Sequence, residues 1–90
     1  MWRPTMDEEQ AILALLDARA EGKTACPSEV ARALAGAGRS WRGLMPAVRE
    51  AADRLAQRGA IVVTQRGVGV SALQARGPIR LAKAPVQPAW

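Results

Sequence analysis

AIVVTQRGVGV, residues 60–70, decides between a bundle of helices and a mixed fold. Ile61, Val62, Val63 and Thr64 are β-branched in succession, and the run is too short for another helix, so it reads as a strand. Arg66-Gly67-Val68-Gly69-Val70 supplies turn glycines, residues 71–77 continue as a loop, and Ile79-Arg80-Leu81 alternates apolar, basic and apolar as an edge strand does. The two strands are predicted to pair as a hairpin with basic side chains at its tip.

Three helical patterns precede the hairpin. Thr5-Met6-Asp7-Glu8 has the spacing of a capping box, and Ile12, Leu13, Leu16 and Ala20 follow at helical intervals until Gly22, which predicts a first helix over about 6–20. Lys23 to Cys26 form a short extended link, because the residue before a proline avoids helical geometry. Pro27 suits a first helical position, and the second helix runs through Ser28 to Ala35 before Gly36-Ala37-Gly38 ends it. Ser40 then reads as the cap of a third helix ending at Gly59. Its apolar face, Trp41, Leu44, Met45, Val48, Ala52 and Leu55, spans a stripe of roughly 100°. The stripe crosses Pro46, which either kinks the helix or marks where it restarts. Trp41 belongs to this face as a core anchor rather than to an exposed base-stacking surface.

The sum is a small α+β domain of winged-helix type: a three-helix helix-turn-helix core followed by a C-terminal β-hairpin wing. Residues 1–83 form one domain and 84–90 a proline-containing tail, since a chain of 90 residues cannot divide its core in two. Trp2 and Trp90 lie in the terminal segments left over.

Composition narrows the function classes. There is no histidine and Cys26 is the single cysteine. Neither a Ser-His-Asp nor a Cys-His constellation can be assembled, the usual zinc ligand sets are lacking, and no internal disulfide forms. The GxG at Gly67 and Gly69 lacks the third glycine and the strand-turn-helix setting of a phosphate loop. These absences argue against an enzyme, a metal or a cofactor. No secretory pattern opens the chain and the longest apolar runs fall far short of a membrane span, so a cytoplasmic, soluble protein is expected. Cys26 reads as a buried small residue; a redox-sensing role requires it to be accessible.

Charge is distributed unevenly. Residues 1–38 carry four basic and six acidic side chains, a balance of −2, whereas residues 39–90 carry nine basic side chains against Glu50 and Asp53 alone, a balance of +7, for +5 overall. Such a half suits a polyanion. The candidate nucleic-acid contacts are Arg39 and Ser40 at the start of the third helix, Arg42 and Arg49 seven positions apart on its flank, Arg66 beside the wing turn, and Arg76 and Arg80 further along. The competing expectation places Arg49 opposite Asp53 and Glu50 opposite Arg54 in helix-surface ion pairs that use up these charges. With Pro46 and Asp53 on the same flank, base readout is weaker than backbone binding. Double-stranded DNA is therefore the expected partner, with an acidic protein as the rival, and the chain is expected to be a monomer or weak homodimer.

A resemblance adds to this reading. Cys26-Pro27-Ser28-Glu29-Val30-Ala31-Arg32, Trp41 with Leu44-Met45-Pro46-Ala47-Val48-Arg49, Thr64-Gln65-Arg66-Gly67 and Arg76-Gly77-Pro78-Ile79-Arg80-Leu81 resemble recurring blocks of the bacterial domain-of-unknown-function family 3253. The likeness runs from about Glu8 to Leu81. It implies a winged-helix-like fold and brings no reaction or ligand with it.

Overall fold

A computed structural model describes residues 7–19, 23–36 and 40–84. Its elements are α1 (Glu8–Asp17), α2 (Pro27–Ala35), a single 3-10 turn (Arg42–Leu44), α3 (Met45–Gln57), β1 (Ile61–Gln65), β2 (Val68–Gly69) and β3 (Arg80–Lys83). Three helices and a three-stranded antiparallel sheet of order β2-β1-β3 make an α+β domain with a winged-helix-like fold.

The first helix starts later than expected. Asp7, not Thr5, is the cap: its carboxylate accepts from the Gln10 amide at 2.8 Å and the Gln10 side chain accepts from the Asp7 amide at 3.0 Å. An acidic cap and a glutamine three residues on form the same reciprocal box two positions downstream. Thr5, Met6, Ala20 and Gly22 lie outside the described residues, as do Trp2, Trp90 and residues 85–89 of the expected tail. Ala84 is held, its amide donating to the Ala60 carbonyl at 3.2 Å.

The third helix also begins differently. Trp41 heads a 3-10 turn and Leu44 occupies the cap position of α3, so Ser40 is not its cap. Pro46 sits in the first turn of α3, where its missing N–H has no intrahelical partner to lose. The regular helix restarts there, and no kink is needed. The apolar stripe is otherwise as expected, with Val48, Ala51, Ala52 and Leu55 fully buried and Trp41, Leu44 and Met45 packed at its margin.

The sheet closes the open side of the helices. Ile61, Val63 and Leu81 point inward, and the register pairs Val63 with Leu81 and Thr64 with Arg80. The expected second strand begins one residue later than read, at Arg80, with Ile79 buried just before it. Nor is β3 a bare edge. Ala25, in the link before α2, exchanges both backbone hydrogen bonds with Leu81 at 2.8 and 2.7 Å. The two-residue turn Arg66-Gly67, with φ of 53° and 81°, is of the primed kind that matches the twist of a tight hairpin. It folds Val68 and Gly69 back on β1 as a third strand the sequence did not announce.

Ionic contacts tie the ends of the helices together. Arg54 Nε and Arg58 Nη1 both donate to the Glu9 carboxylate, at 2.7 and 2.9 Å, and Lys83 meets Asp17 at 2.8 Å. Hydrogen bonds from Arg54 and then Arg58 hold Glu9 below the ordinary glutamate pKa. A carboxyl depressed in the folded state stabilises it above the unfolded pKa, and that contribution is lost as pH falls through the folded value. Thermal unfolding followed from pH 6 down to pH 2 is therefore expected to show an acid-side decline that is shallower in Glu9→Gln. Superimposable declines in the two proteins would remove Glu9 from the account.

Candidate nucleic-acid interface

Of the seven positions singled out in the sequence, the six that lie among the described residues are not brought together as one surface. Arg39 lies outside the described residues. Ser40 is exposed just before the 3-10 turn. Arg42 and Arg49 do not point the same way. A 3-10 turn advances by about 120° per residue instead of 100°, which takes Arg42 off the line computed for a continuous α-helix. Its guanidinium carbon lies instead over the Trp41 indole, 4.6 Å from the ring centroid.

Arg49 turns the other way and is fully engaged. Nη1 donates to the carbonyls of Ala75 at 2.9 Å and Ala72 at 3.3 Å, and Nη2 to the carbonyl of Gly77 at 2.7 Å. From the sheet, the Gln65 amide donates to the carbonyls of Arg76 and Pro78. A planar fork from α3 and an amide from β1 thus gather five carbonyls of one loop. The loop's own first turn is closed by Ser71, whose hydroxyl accepts from the amides of Leu73 and Gln74 and whose carbonyl accepts from Ala75. Ala72, buried at 1% exposure, anchors that turn in the core. The wing is a pinned structure, and Arg49 is the pin rather than a surface charge.

Arg66 occupies the wing turn at a positive φ, a conformation that costs a side chain with a Cβ about 1 kcal/mol or more. Arg66 and Arg76 are exposed. Arg80 lies toward the opposite edge of the sheet, where Nε donates to the Thr24 hydroxyl at 2.8 Å. Thr24 is also fastened from just beyond the end of α1, since Arg19 donates to its carbonyl at 2.9 Å and to Glu29 at 3.0 Å. Arg80 therefore helps to hold the link before α2 against the sheet.

Neither helix-surface ion pair expected on α3 is present among the described residues. Asp53 accepts from Gln57 at 2.6 Å, and Arg54 reaches across to Glu9. The pairs fail for a geometric reason: both arginines find carbonyls or a carboxylate on a neighbouring element, with better geometry than an exposed neighbour one turn away. The remaining exposed side chains of α3 include Pro46, Glu50 and Gln57. This face has little with which to read base edges.

A pattern emerges from the pairing. Arg19, Arg54, Arg58 and Lys83 each meet a carboxylate within 3.0 Å. Lys23, Arg32, Arg42, Arg66 and Arg76 have none among the described residues, and Arg49 and Arg80 are held by carbonyls and a hydroxyl instead. Arg32 was not among the positions picked out in the sequence. It projects from the exposed side of α2 and lies over the same Trp41 ring, its guanidinium carbon 4.5 Å from the centroid.

Cys26 is half-buried at the start of α2, not sealed in the core. Its Sγ shares a 2.8 Å hydrogen bond with the Ser28 hydroxyl, and its amide donates to Glu29 at 2.9 Å. Burial disfavours the thiolate, but hydrogen bonds to Ser28 and to the Glu29 amide outweigh it and leave the thiol below its ordinary pKa.

Among the described residues no helix is long and apolar enough to cross a membrane. A family model described as "Protein of unknown function (DUF3253)" matches residues 2–84. No curated protein matches the chain.

Proposed function

Because this chain belongs to the DUF3253 family, whose description assigns no activity, we propose from its residues that it is a non-enzymatic helix-turn-helix protein that binds double-stranded DNA through the phosphate backbone. The observation that carries this reading is the separation of paired from unpaired cations. The arginines of the α1 side and the far end of α3 are neutralised, whereas Arg42, beside α3, and Arg66 and Arg76, on the wing, lack a carboxylate. Exposed guanidinium groups without an internal partner suit phosphate oxygens, which take two parallel N–H bonds from the planar fork. Arg66 adds weight, since a turn that favours Asn or Gly carries an arginine there despite the conformational cost. Base reading contributes little, given Pro46 and Glu50 on the outward side of α3. Such a protein acts in the cytoplasm as a regulator or accessory factor, a location supported by a single free cysteine.

The test is a salt titration on a labelled duplex of generic sequence. The three contacts named here set a log-log slope of about −2.7 or steeper, because each neutralised phosphate contributes about −0.9 and any further contact adds to it. Arg42→Ala is expected to make the slope shallower by about 0.9 and to weaken binding by roughly tenfold at 0.1 M salt. Absence of binding by the wild type at low salt would reject the proposal. A second reading, an acidic protein docking on the wing, draws on two exposed apolar side chains there, Val68 at 64% and Leu73 at 55%. Salt-insensitive association with a protein would favour it.

A further inference from the structure

Two guanidinium groups share one indole. Arg32 comes from α2 and Arg42 from the 3-10 turn before α3, and their guanidinium carbons lie 4.5 and 4.6 Å from the Trp41 centroid, well inside the range of cation–π attraction. Trp41 is partly buried and packed against the core, which restrains the ring that carries both cations. Neither cation has a carboxylate partner among the described residues. Two positive charges gathered on one ring, neither neutralised by a carboxylate, favour an anion placed beside each of them.

We propose that Arg32, Trp41 and Arg42 form a phosphodiester seat in which Arg32 is a further backbone-contacting residue and Trp41 positions both arginines. This rests on the DNA-binding reading above. The chemistry favours a phosphate over a carboxylate-bearing protein for a geometric reason. A guanidinium stacked by its face on an aromatic ring keeps its edge N–H donors available, and two such edges from one seat suit the closely spaced oxyanions of a single nucleic-acid strand. The seat also lowers the ordering cost of binding, because two long, rotamer-rich side chains are already restrained by the ring.

The seat gives charge and positioning different signatures. In fluorescence anisotropy on a labelled generic duplex across a salt series, Arg32→Ala is expected to weaken binding by roughly tenfold at 0.1 M salt and to make the slope shallower by about 0.9. Trp41→Leu removes no charge, so it is expected to weaken binding a few-fold with the slope unchanged. Arg32→Lys keeps the charge but not the planar, forked guanidinium, and should behave like Trp41→Leu. Wild-type affinity and slope in Arg32→Ala, with Arg42→Ala still weakened, would overturn the seat while leaving the DNA reading intact. A wild type that fails to bind overturns both. Arg32 lies on an exposed helical position, so its replacement by alanine decides the matter even if the tryptophan variant does not fold.

Discussion

Arg49→Ala is expected to lower the stability of the domain by about 1.5 to 3 kcal/mol, the range for losing hydrogen bonds made by a charged donor. The side chain makes three bonds to the carbonyls of Ala72, Ala75 and Gly77, and alanine leaves those carbonyls to water, with the loop held from the sheet only through the bonds of Gln65 to Arg76 and Pro78. For a domain of this length that corresponds to a fall in melting temperature of roughly 10 °C or more. Hydrogen exchange should quicken at Leu73, Gln74 and Ala75, whose amides depend on the Ser71 turn that the pinned loop supports. Arg49→Lys should recover only part of the loss, since an ammonium on a flexible stem does not reproduce a fork spanning three acceptors. An unchanged melting temperature, together with a shallower salt slope in DNA binding, would reverse the assignment and make Arg49 a phosphate contact.

Leu81→Ala carries a larger expected loss, about 2 to 5 kcal/mol. Leu81 is fully buried, lies opposite Val63 in the sheet, and marks the point where Ala25 joins β3. Truncating it removes packing shared by the sheet, the helices and the link. Small domains have only about 5 to 15 kcal/mol of net stability, so this single change takes a large fraction of it. Urea unfolding is expected to show a much lower midpoint with a similar slope. A shift equivalent to less than about 0.5 kcal/mol would place the centre of the core elsewhere.

The helices were legible because their signals are local. Val30, Ala31 and Leu34 in α2, and Val48, Ala52 and Leu55 in α3, repeat at three and four, and Pro27 and Gly36 mark the ends of α2. The misreadings arose where two local signals overlap. Thr5-x-x-Glu8 and Asp7-x-x-Gln10 are both capping patterns, and the carboxylate of Asp7 takes the role. Trp41 and Leu44 are three apart, a spacing that a 3-10 turn and an α-helix share, so the apolar stripe alone did not reveal where the α-helix begins.

The candidate site was less legible, for a different reason. An angle around a helix axis says which way Arg49 leaves the backbone, but not that the loop carbonyls of Ala72, Ala75 and Gly77 return to meet it. Arg32 carried no local mark either, because its significance comes from Trp41 on another element. β2 is two residues long, and only the positive φ at Arg66 and Gly67 directs it back onto β1. The Arg-Gly pair is a weaker turn signal than Asn-Gly. Charge asymmetry pointed to the basic half as a whole, and only tertiary contacts sort its arginines into structural and unpartnered ones.

The two hydrogen bonds between Ala25 and Leu81 join positions 56 residues apart, as does the bond from Arg80 to Thr24. That closure cannot form early in folding, because a chain gains such contacts only after bringing distant segments together at an entropic cost. The helices and the β1–β2 turn are local and can flicker into place beforehand. Docking β3 between β1 and the link then commits the first third of the chain and the last strand in one step. A nascent chain still held on the ribosome before residue 81 has emerged would hold its helical segments in waiting, with Ile12, Val48 and Leu55 lacking the completed sheet that finally covers them.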